Sequence, residues 1–356
     1  MTDILAGIGQ GISGIGGLLG ANQIPQRQIG IQIKLAQNTQ TNQPTTFSGL
    51  GSSGGGLGSL LSGGISGLTG GLISGSIGGN QVNITGLRAS VHIRNAGALP
   101  TCDLRVWGLP PNVLNQMNSL GLKLNIIAGN LLTITAGDNI NGMAPVFDGV
   151  IMQAYADYEN QPDVPLIIIG SLGGLVLGST PTTYPQGFSI VEAMTTLAQK
   201  MGLTLNNAGN VNVQLPPMYV SGSPMVQIRK LARAAGISFG ISPTGALELF
   251  QKGQARTDTG TIIVSKATGM IASPSFTQSG VIVKTLFNPQ IRQYSTMTIQ
   301  SNVLQSIAGF GATAVSNQYM INQIDLDLEA QVPKGQWQMT LQGYPSGTNV
   351  TIPSAT

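Results

Sequence analysis

The sequence predicts a mainly β fold, antiparallel for most of its length, interrupted by a small α/β insertion with two helices. Three observations carry this expectation. Short runs alternate polar and apolar residues, as Gln28–Leu35 (QIGIQIKL) does, which is the pattern of a half-buried strand. Turn dipeptides such as Gly129-Asn130 and Gly137-Asp138 punctuate those runs, as hairpins require. Two amphipathic helical stripes then fall close together between residues 181 and 254, where the apolar period changes to that of a helix.

In chain order, Gln28–Leu35 is followed by strands at Val82–Ile93 and Leu104–Leu109. Pro110-Pro111 opens a short helix, Asn112–Leu120, with Val113, Leu114, Met117 and Leu120 at helical spacing. Gly121 stands where a glycine ends a helix. Strands are expected again at Leu122–Ala128, Leu131–Ala136, Val146–Tyr158 and Val164–Ile169. In the insertion, Ser189-Ile-Val-Glu192 has the form of a capping box. The stripe Ile190, Val191, Met194, Leu197, Ala198 and Met201 follows, with Lys200 near its end and Gly202 after it. Ser223-Pro224 starts a second helix, an N-cap followed by proline at the first helical position. Its stripe is Met225, Ile228, Leu231, Ala232 and Ala235, closed by Gly236. Ile237–Ile241 and Ala246–Phe250 form a hairpin around Ser242-Pro-Thr-Gly245. The β pattern returns at Thr261–Ser265, Gly280–Thr285, Ser295–Gln300, Ser316–Leu328 and Trp337–Gly343.

Composition narrows the function. The chain has 356 residues, of which 41% are hydrophobic and only 8% charged, with 16 basic and 13 acidic residues and a net charge of +3. A disordered polar chain needs more net charge and fewer apolar residues. A protein that binds nucleic acid by neutralising phosphates needs clustered Lys and Arg, and here the basic residues are scattered. One cysteine, Cys102, excludes an internal disulfide framework and a cysteine-based zinc site. One histidine, His92, argues against a histidine-containing triad or a multi-histidine metal site. A surface so poor in charge is wetted by Asn, Gln, Ser and Thr, or is covered in an assembly.

Other segments exclude simple targeting. Met1–Gly20 is apolar but lacks the basic start of a secretory signal. Val164–Leu177 is shorter than a membrane span and holds Pro165, Gly170, Gly173 and Gly174, so it reads as a buried strand with a turn. No transmembrane helix is expected, and the default compartment is one that keeps Cys102 reduced. Gly49–Gly79 is a Gly/Ser tract that also carries Leu57, Leu60, Leu61, Ile65, Leu68, Leu72, Ile73 and Ile77. It reads either as an insertion loop or as an arm that orders against a neighbour, and Met1–Gly20 invites the same two readings.

Few residues offer chemistry. Gly49, Gly51 and Gly54 match GxGxxG by chance in a glycine-rich tract with no βαβ unit around them. Asp325, Asp327 and Glu329 alternate, so they share one strand face and could meet a hard cation, but no loop of further ligands accompanies them. Asp157 and Glu159 read in the same way. His92 reads as an ordinary strand residue and Cys102 as a small buried one with no histidine nearby in sequence to activate it. No catalytic, cofactor-binding or metal-ligating residue is therefore assigned, no cofactor is expected, and the chain reads as no enzyme.

The order of these segments resembles baseplate hub proteins of contractile-tailed bacteriophages (the late-control protein D, or tail hub, family). The resemblance rests on Gln28–Leu35, Gly86–Gly97, Leu104–Leu109 with its helix to Gly121, Phe147–Tyr158 and Pro162-Asp-Val164. It continues through Ser189–Gly202, Val220–Gly245, Thr268–Pro274, Gly280–Pro289 and Pro333–Trp337. Where many hubs have a histidine before Asp-Leu, this chain has Ile324. The resemblance implies two tube-like antiparallel β-barrel domains plus a small two-helix α/β domain. The implied units are 28–180 (with an insertion at about 37–81), 181–254 and 255–345, between an N-terminal extension 1–27 and a tail 346–356. It further implies a homotrimeric ring that adapts a sixfold tail tube to a threefold spike and forms part of the DNA conduit. Its partners would be the tail tube protein, the central spike protein and the baseplate wedge proteins. DNA would pass without specific binding, and no stable membrane insertion is implied. The expected location is the virion tail baseplate, and the host cytoplasm during assembly. A tail-tube or secretion-system spike component, or a cell-wall-degrading tail enzyme, are the alternatives.

Overall fold

A computed structural model describes residues 26–34, 81–95, 99–111, 130–138, 142–172, 180–277, 280–301 and 318–345, with positions 37, 38, 43, 44, 114 and 117. Met1–Gly20, Gly49–Gly79 and Leu122–Ala128 lie outside the described residues.

The alternating runs form strands because their apolar members reach one common core. The first group comprises β1 (Arg27–Lys34), β2 (Gln37–Asn38), β3 (Gln43–Pro44), β4 (Gln81–Ile84), β5 (Ala89–Asn95), β6 (Thr101–Val106), β7 (Leu131–Asp138), β8 (Gly142–Ala156) and β9 (Leu166–Ser171). Ile29, Ile31 and Ile33 of β1 face inward with Leu132, Ile134 and Ala136 of β7. The expected strand Val82–Ile93 is two strands. The chain breaks at Thr85–Arg88, where Gly86 takes φ 73, so β4 pairs with β1 while β5 pairs elsewhere. Pro111, Leu114 and Met117 are helical, as the Pro-Pro start predicts. The Leu114 N–H donates to the Pro110 carbonyl at 3.1 Å, and Leu114 and Met117 are buried.

Between residues 182 and 251 follow β10 (Thr182–Tyr184), β11 (Phe188–Ser189), α1 (Ile190–Lys200), β12 (Thr204–Asn206), β13 (Gln214–Leu215), β14 (Met218–Val220), α2 (Pro224–Ala235), β15 (Ile237–Ser242) and β16 (Ala246–Gln251). β12, β16 and β15 make a small mixed sheet. Helix α1 buries Ile190, Ala193, Met194, Leu197 and Ala198. Helix α2 buries Ile228, Leu231 and Ala232 and ends at Gly236, which is left-handed at φ 65. The capping box does not form: Ser189 makes no side-chain cap. It is held instead in β11 opposite Gln214, and the Ile190 N–H donates to the Val213 carbonyl at 3.1 Å.

The last group is β17 (Ile262–Val264), β18 (Ser275–Thr277), β19 (Gly280–Leu286), β20 (Thr296–Ile299), β21 (Gln318–Ala330) and β22 (Trp337–Pro345). Here the structure corrects an expectation. Two tube-like β-barrels do not form, and among the described residues no sheet closes on itself. One sheet runs through both groups in the order β18-β19-β22-β21-β5-β6-β9-β8-β7-β1-β4, with β20 and β17 attached beside β21. The reason lies in β5 and β21. They pair with each other from Ile324↔Asn95 to Ala330↔Ala89, which joins the two groups where separate barrels would need to close. Arg27 of β1 does reach the β21–β22 turn, donating to the Gly335 carbonyl at 2.8 Å. That contact is made by a side chain and is not a ladder. The core is likewise shared, with Phe147 among its largest fully buried side chains. Gly170 leaves room for it: a Cβ there would lie 3.1 Å from the Phe147 ring.

Candidate functional site

The face of the sheet opposite the core carries a grid of charges. Leu326 and Leu328 point inward, so alternation sets Asp325, Asp327 and Glu329 outward. On β5 the residues opposite them are Arg94, His92 and Ser90. On β6 the next residues across are Thr101, Asp103 and Arg105. The carboxylates of β21 are each engaged. Asp325 accepts from the Asn95 N–H at 3.3 Å and from Gln323 Nε2 at 3.0 Å. Asp327 Oδ1 lies 2.8 Å from His92 Nδ1. Glu329 accepts from the Gln336 N–H at 2.8 Å. His92 Nε2 lies 3.4 Å from Ser90 Oγ, which places serine, histidine and aspartate in a row. Ser90 is only 5% exposed, so the row ties strands together and presents no accessible nucleophile.

A second cluster joins β16 to the segment that leads into β20. Arg256 is buried. Its Nε and Nη2 donate to Asp258 at 2.6 and 2.9 Å, its Nη2 to Glu248 of β16 at 3.2 Å, and its Nη1 to the Gln293 carbonyl at 3.2 Å. Burial alone would lower the Arg256 pKa, but its bond to Asp258 and the charges of Glu248 and Asp258 hold it above its ordinary value. The same bond to Arg256 holds the Asp258 carboxyl below its usual range. Next in the chain to Gln293, Tyr294 sits at φ 64, an uncommon conformation for a side chain of this size. Its ring packs on Phe250, tilted by 33° with centroids 4.2 Å apart, and its hydroxyl donates to the Phe239 carbonyl at 3.1 Å. Burial pushes the Tyr294 phenol up to about 12. Asn95, at the end of β5, donates to the Ile241 carbonyl and to Gln293 Oε1, so three segments meet there.

The β19 margin of the sheet is apolar. Ile271 and Leu286 are bound into it through the Lys284 and Gly269 carbonyls. Ile271, Phe276 and Leu286 are nonetheless exposed, as is Ile263 on β17.

The residues singled out in the sequence do not converge. No group of three His, Cys, Asp or Glu able to hold a metal ion occurs among the described residues. Asp157 accepts from the Glu159 N–H at 3.1 Å in a short 3-10 turn, so this acidic pair serves the local chain path. Cys102 is fully buried, and burial and then Asp103 push its thiol far above the ordinary value. Gly49, Gly51 and Gly54 lie outside the described residues. The Arg256 clasp escaped the sequence reading. Only the spacing of Arg256 and Asp258 hints at it, and Glu248 and Gln293 join through the fold alone.

The β21 carboxylates are thus spent on strand-to-strand and turn contacts. The family "Baseplate hub gp41" matches residues 110–337, and the chain belongs to it. It is thus a structural protein of the phage tail, located in the virion baseplate and, during assembly, in the host cytoplasm. No curated protein matches the chain. Among solved structures it is similar to a tail protein from Neisseria meningitidis MC58, at 10% identity and TM-score 0.49, covering 73% of this chain and 92% of that one. It is also similar to the 43 kDa tail protein of prophage MuSo2 from Shewanella oneidensis, at 10% identity and TM-score 0.46, covering 74% and 96%. A component of the E. coli type VI secretion system is similar at 10% identity and TM-score 0.44, covering 73% of each chain.

Proposed function

We propose that this chain forms a three-subunit ring at the end of the tail tube, adapting the sixfold tube to a threefold spike and forming part of the DNA conduit. Its division would be 28–180 and 255–345 as two sheet-forming units, with 181–254 as an insertion facing other baseplate proteins. The tube, spike and wedge proteins are the partners this role requires. The observation that carries the reading is the β5–β21 seam. It fuses two β groups within one subunit, so three copies would present six such groups around an axis. A closed ring of heterologous contacts covers surface on both sides of each subunit, which accords with a chain only 8% charged. A conduit also favours walls that do not hold phosphates. The grid on β21, β5 and β6 sets Asp103, Asp325, Asp327 and Glu329 beside Arg94 and Arg105, so it has no excess of positive charge.

Native mass spectrometry of the purified chain, with subunit counting in intact tails by electron microscopy, tests the reading. Three copies on the tail axis are expected. Six copies would indicate a tube component, and an off-axis position would rule out the conduit.

A further inference from the structure

The net charge of this protein is confined to one part of it. Between residues 181 and 254 lie five basic residues (Lys200, Arg229, Lys230, Arg233, Lys252) and two acidic ones (Glu192, Glu248). That surplus equals the +3 of the whole chain, and the remainder is balanced. Three of the five cations stand on helix α2. Val226, Arg229, Lys230 and Arg233 follow the spacing i, i+3, i+4, i+7, which forms one stripe, and all four are exposed. The opposite stripe, Ile228, Leu231 and Ala232, is buried. Helix α2 contains no acidic residue. Arg229 and Arg233 make no ion pair among the described residues. Lys230 donates to the carbonyl and hydroxyl of Ser221, which are neutral, at 3.0 and 3.5 Å. Those bonds fold the lysine toward Ser221, the residue after β14; Tyr219, within β14 and two residues before Ser221, is 63% exposed, the highest among the exposed large apolar side chains of the described residues.

We infer that the outward stripe of α2 is a docking surface for an acidic protein segment. The segment would set carboxylates on Arg229, Lys230 and Arg233 and an apolar side chain against Val226. Arginines are among the residues that protein interfaces use as anchors, and here Arg229 and Arg233 stand beside the exposed aliphatic Val226. The stripe is short, about 10 Å along the helix, and three cations neutralise few phosphates. Its apolar member, Val226, also offers a phosphate backbone nothing. The balanced remainder of the chain adds no basic field that would steer DNA toward it. The inference stands on this charge distribution and not on the ring proposed above.

The test uses the full chain and two probes. One is a capped helical peptide with glutamates at i, i+3, i+4 and i+7 and a leucine beside them. The other is a short DNA duplex. Fluorescence anisotropy at low and physiological salt should show that the peptide binds the native chain. The double variant R229E/R233E should bind it about tenfold more weakly or worse. Lys284→Glu, an exposed change of the same net sign on β19, should leave the affinity unchanged. Equal peptide binding by the native chain and R229E/R233E overturns the inference, as does an equal loss in Lys284→Glu or no peptide binding at all. Duplex DNA that binds more tightly and displaces the peptide also overturns it, in favour of a nucleic-acid contact.

Discussion

Asp327 and His92 face each other across the β21–β5 seam, carboxylate oxygen to ring nitrogen at 2.8 Å, although 235 residues separate them in the chain. Both side chains are about one-third exposed, at 30% and 38%, so water screens the pair and its worth is about 0.5–1 kcal/mol. Leu328, one residue on and turned inward, is fully buried, and its truncation to alanine should cost about 2–5 kcal/mol. Urea unfolding of Asp327→Ala and Leu328→Ala should therefore rank the second as far more damaging. A larger loss in Asp327→Ala would mean that polar ties rather than core packing hold the seam.

The Arg256 clasp should behave in the opposite way, because its guanidinium is fully buried and Glu248 is only 7% exposed on the side chain. Arg256→Met would leave the Glu248 carboxylate without its cation, a loss of about 3–5 kcal/mol for a buried pair. Arg256→Met with Glu248→Gln removes that orphaned charge and should recover part of the loss. Thermal unfolding of the two variants tests this, and a double variant no more stable than Arg256→Met would refute the assignment. Asp258 adds an acid limit. Its carboxyl is held below its usual range in the folded protein. Its stabilising contribution is therefore present above about pH 4 and fades as pH falls below that.

The local grammar of this fold was legible and its closure was not. Period-two runs placed β1, β7, β19 and β22 within a few residues, because alternation is imposed by one buried face and needs no partner to be recognised. Gly236 and Gly245 marked the helix end and the hairpin, since both take positive φ. Pairing over long separations leaves no such trace. Nothing near Asn95 or Ile324 announces that β5 and β21 adjoin, and that pairing turned two expected barrels into one open sheet. Likewise Asp325, Asp327 and Glu329 were correctly placed on one face. Their partners Asn95, His92 and Gln336 come from the fold or from a turn, so the metal reading could be weighed only once those contacts were known.

Gly280 and Gly253 separate two causes of glycine dependence. Both have positive φ, at 149 and 75. A Cβ on Gly253 would meet nothing within 4 Å, while one on Gly280 would collide with the Gly343 carbonyl of the paired strand β22. Gly253→Ala should cost about 1–2 kcal/mol, the penalty of a left-handed side-chain residue. Gly280→Ala should cost more than that, and amide exchange in β19 and β18 should rise because the clash opens the sheet margin. Equal losses in the two variants would show that conformation alone decides.

Tyr294 gives the clasp an alkaline limit. The phenol ordinarily titrates near 10 and burial pushes it up to about 12. A folded-state pKa above the unfolded one means that folding holds the proton more tightly. The resulting stability is complete below pH 10 and is lost as pH rises toward 12. Tyr294→Phe cannot ionise, and it gives up only the hydroxyl bond to the Phe239 carbonyl, worth about 0.5–1.5 kcal/mol. At pH 8 the variant should be the less stable protein by that amount. Between pH 10 and 12 the native chain should decline toward it, on the order of 1 kcal/mol per pH unit at most. Tyr184, Tyr319 and Cys102 are also raised by burial, but they titrate alike in both proteins, so the difference between the two melting curves isolates Tyr294. A difference that stays constant from pH 8 to 12 would show that the phenol reaches water in the folded state, and that the packing of its ring on Phe250 does not seal the junction.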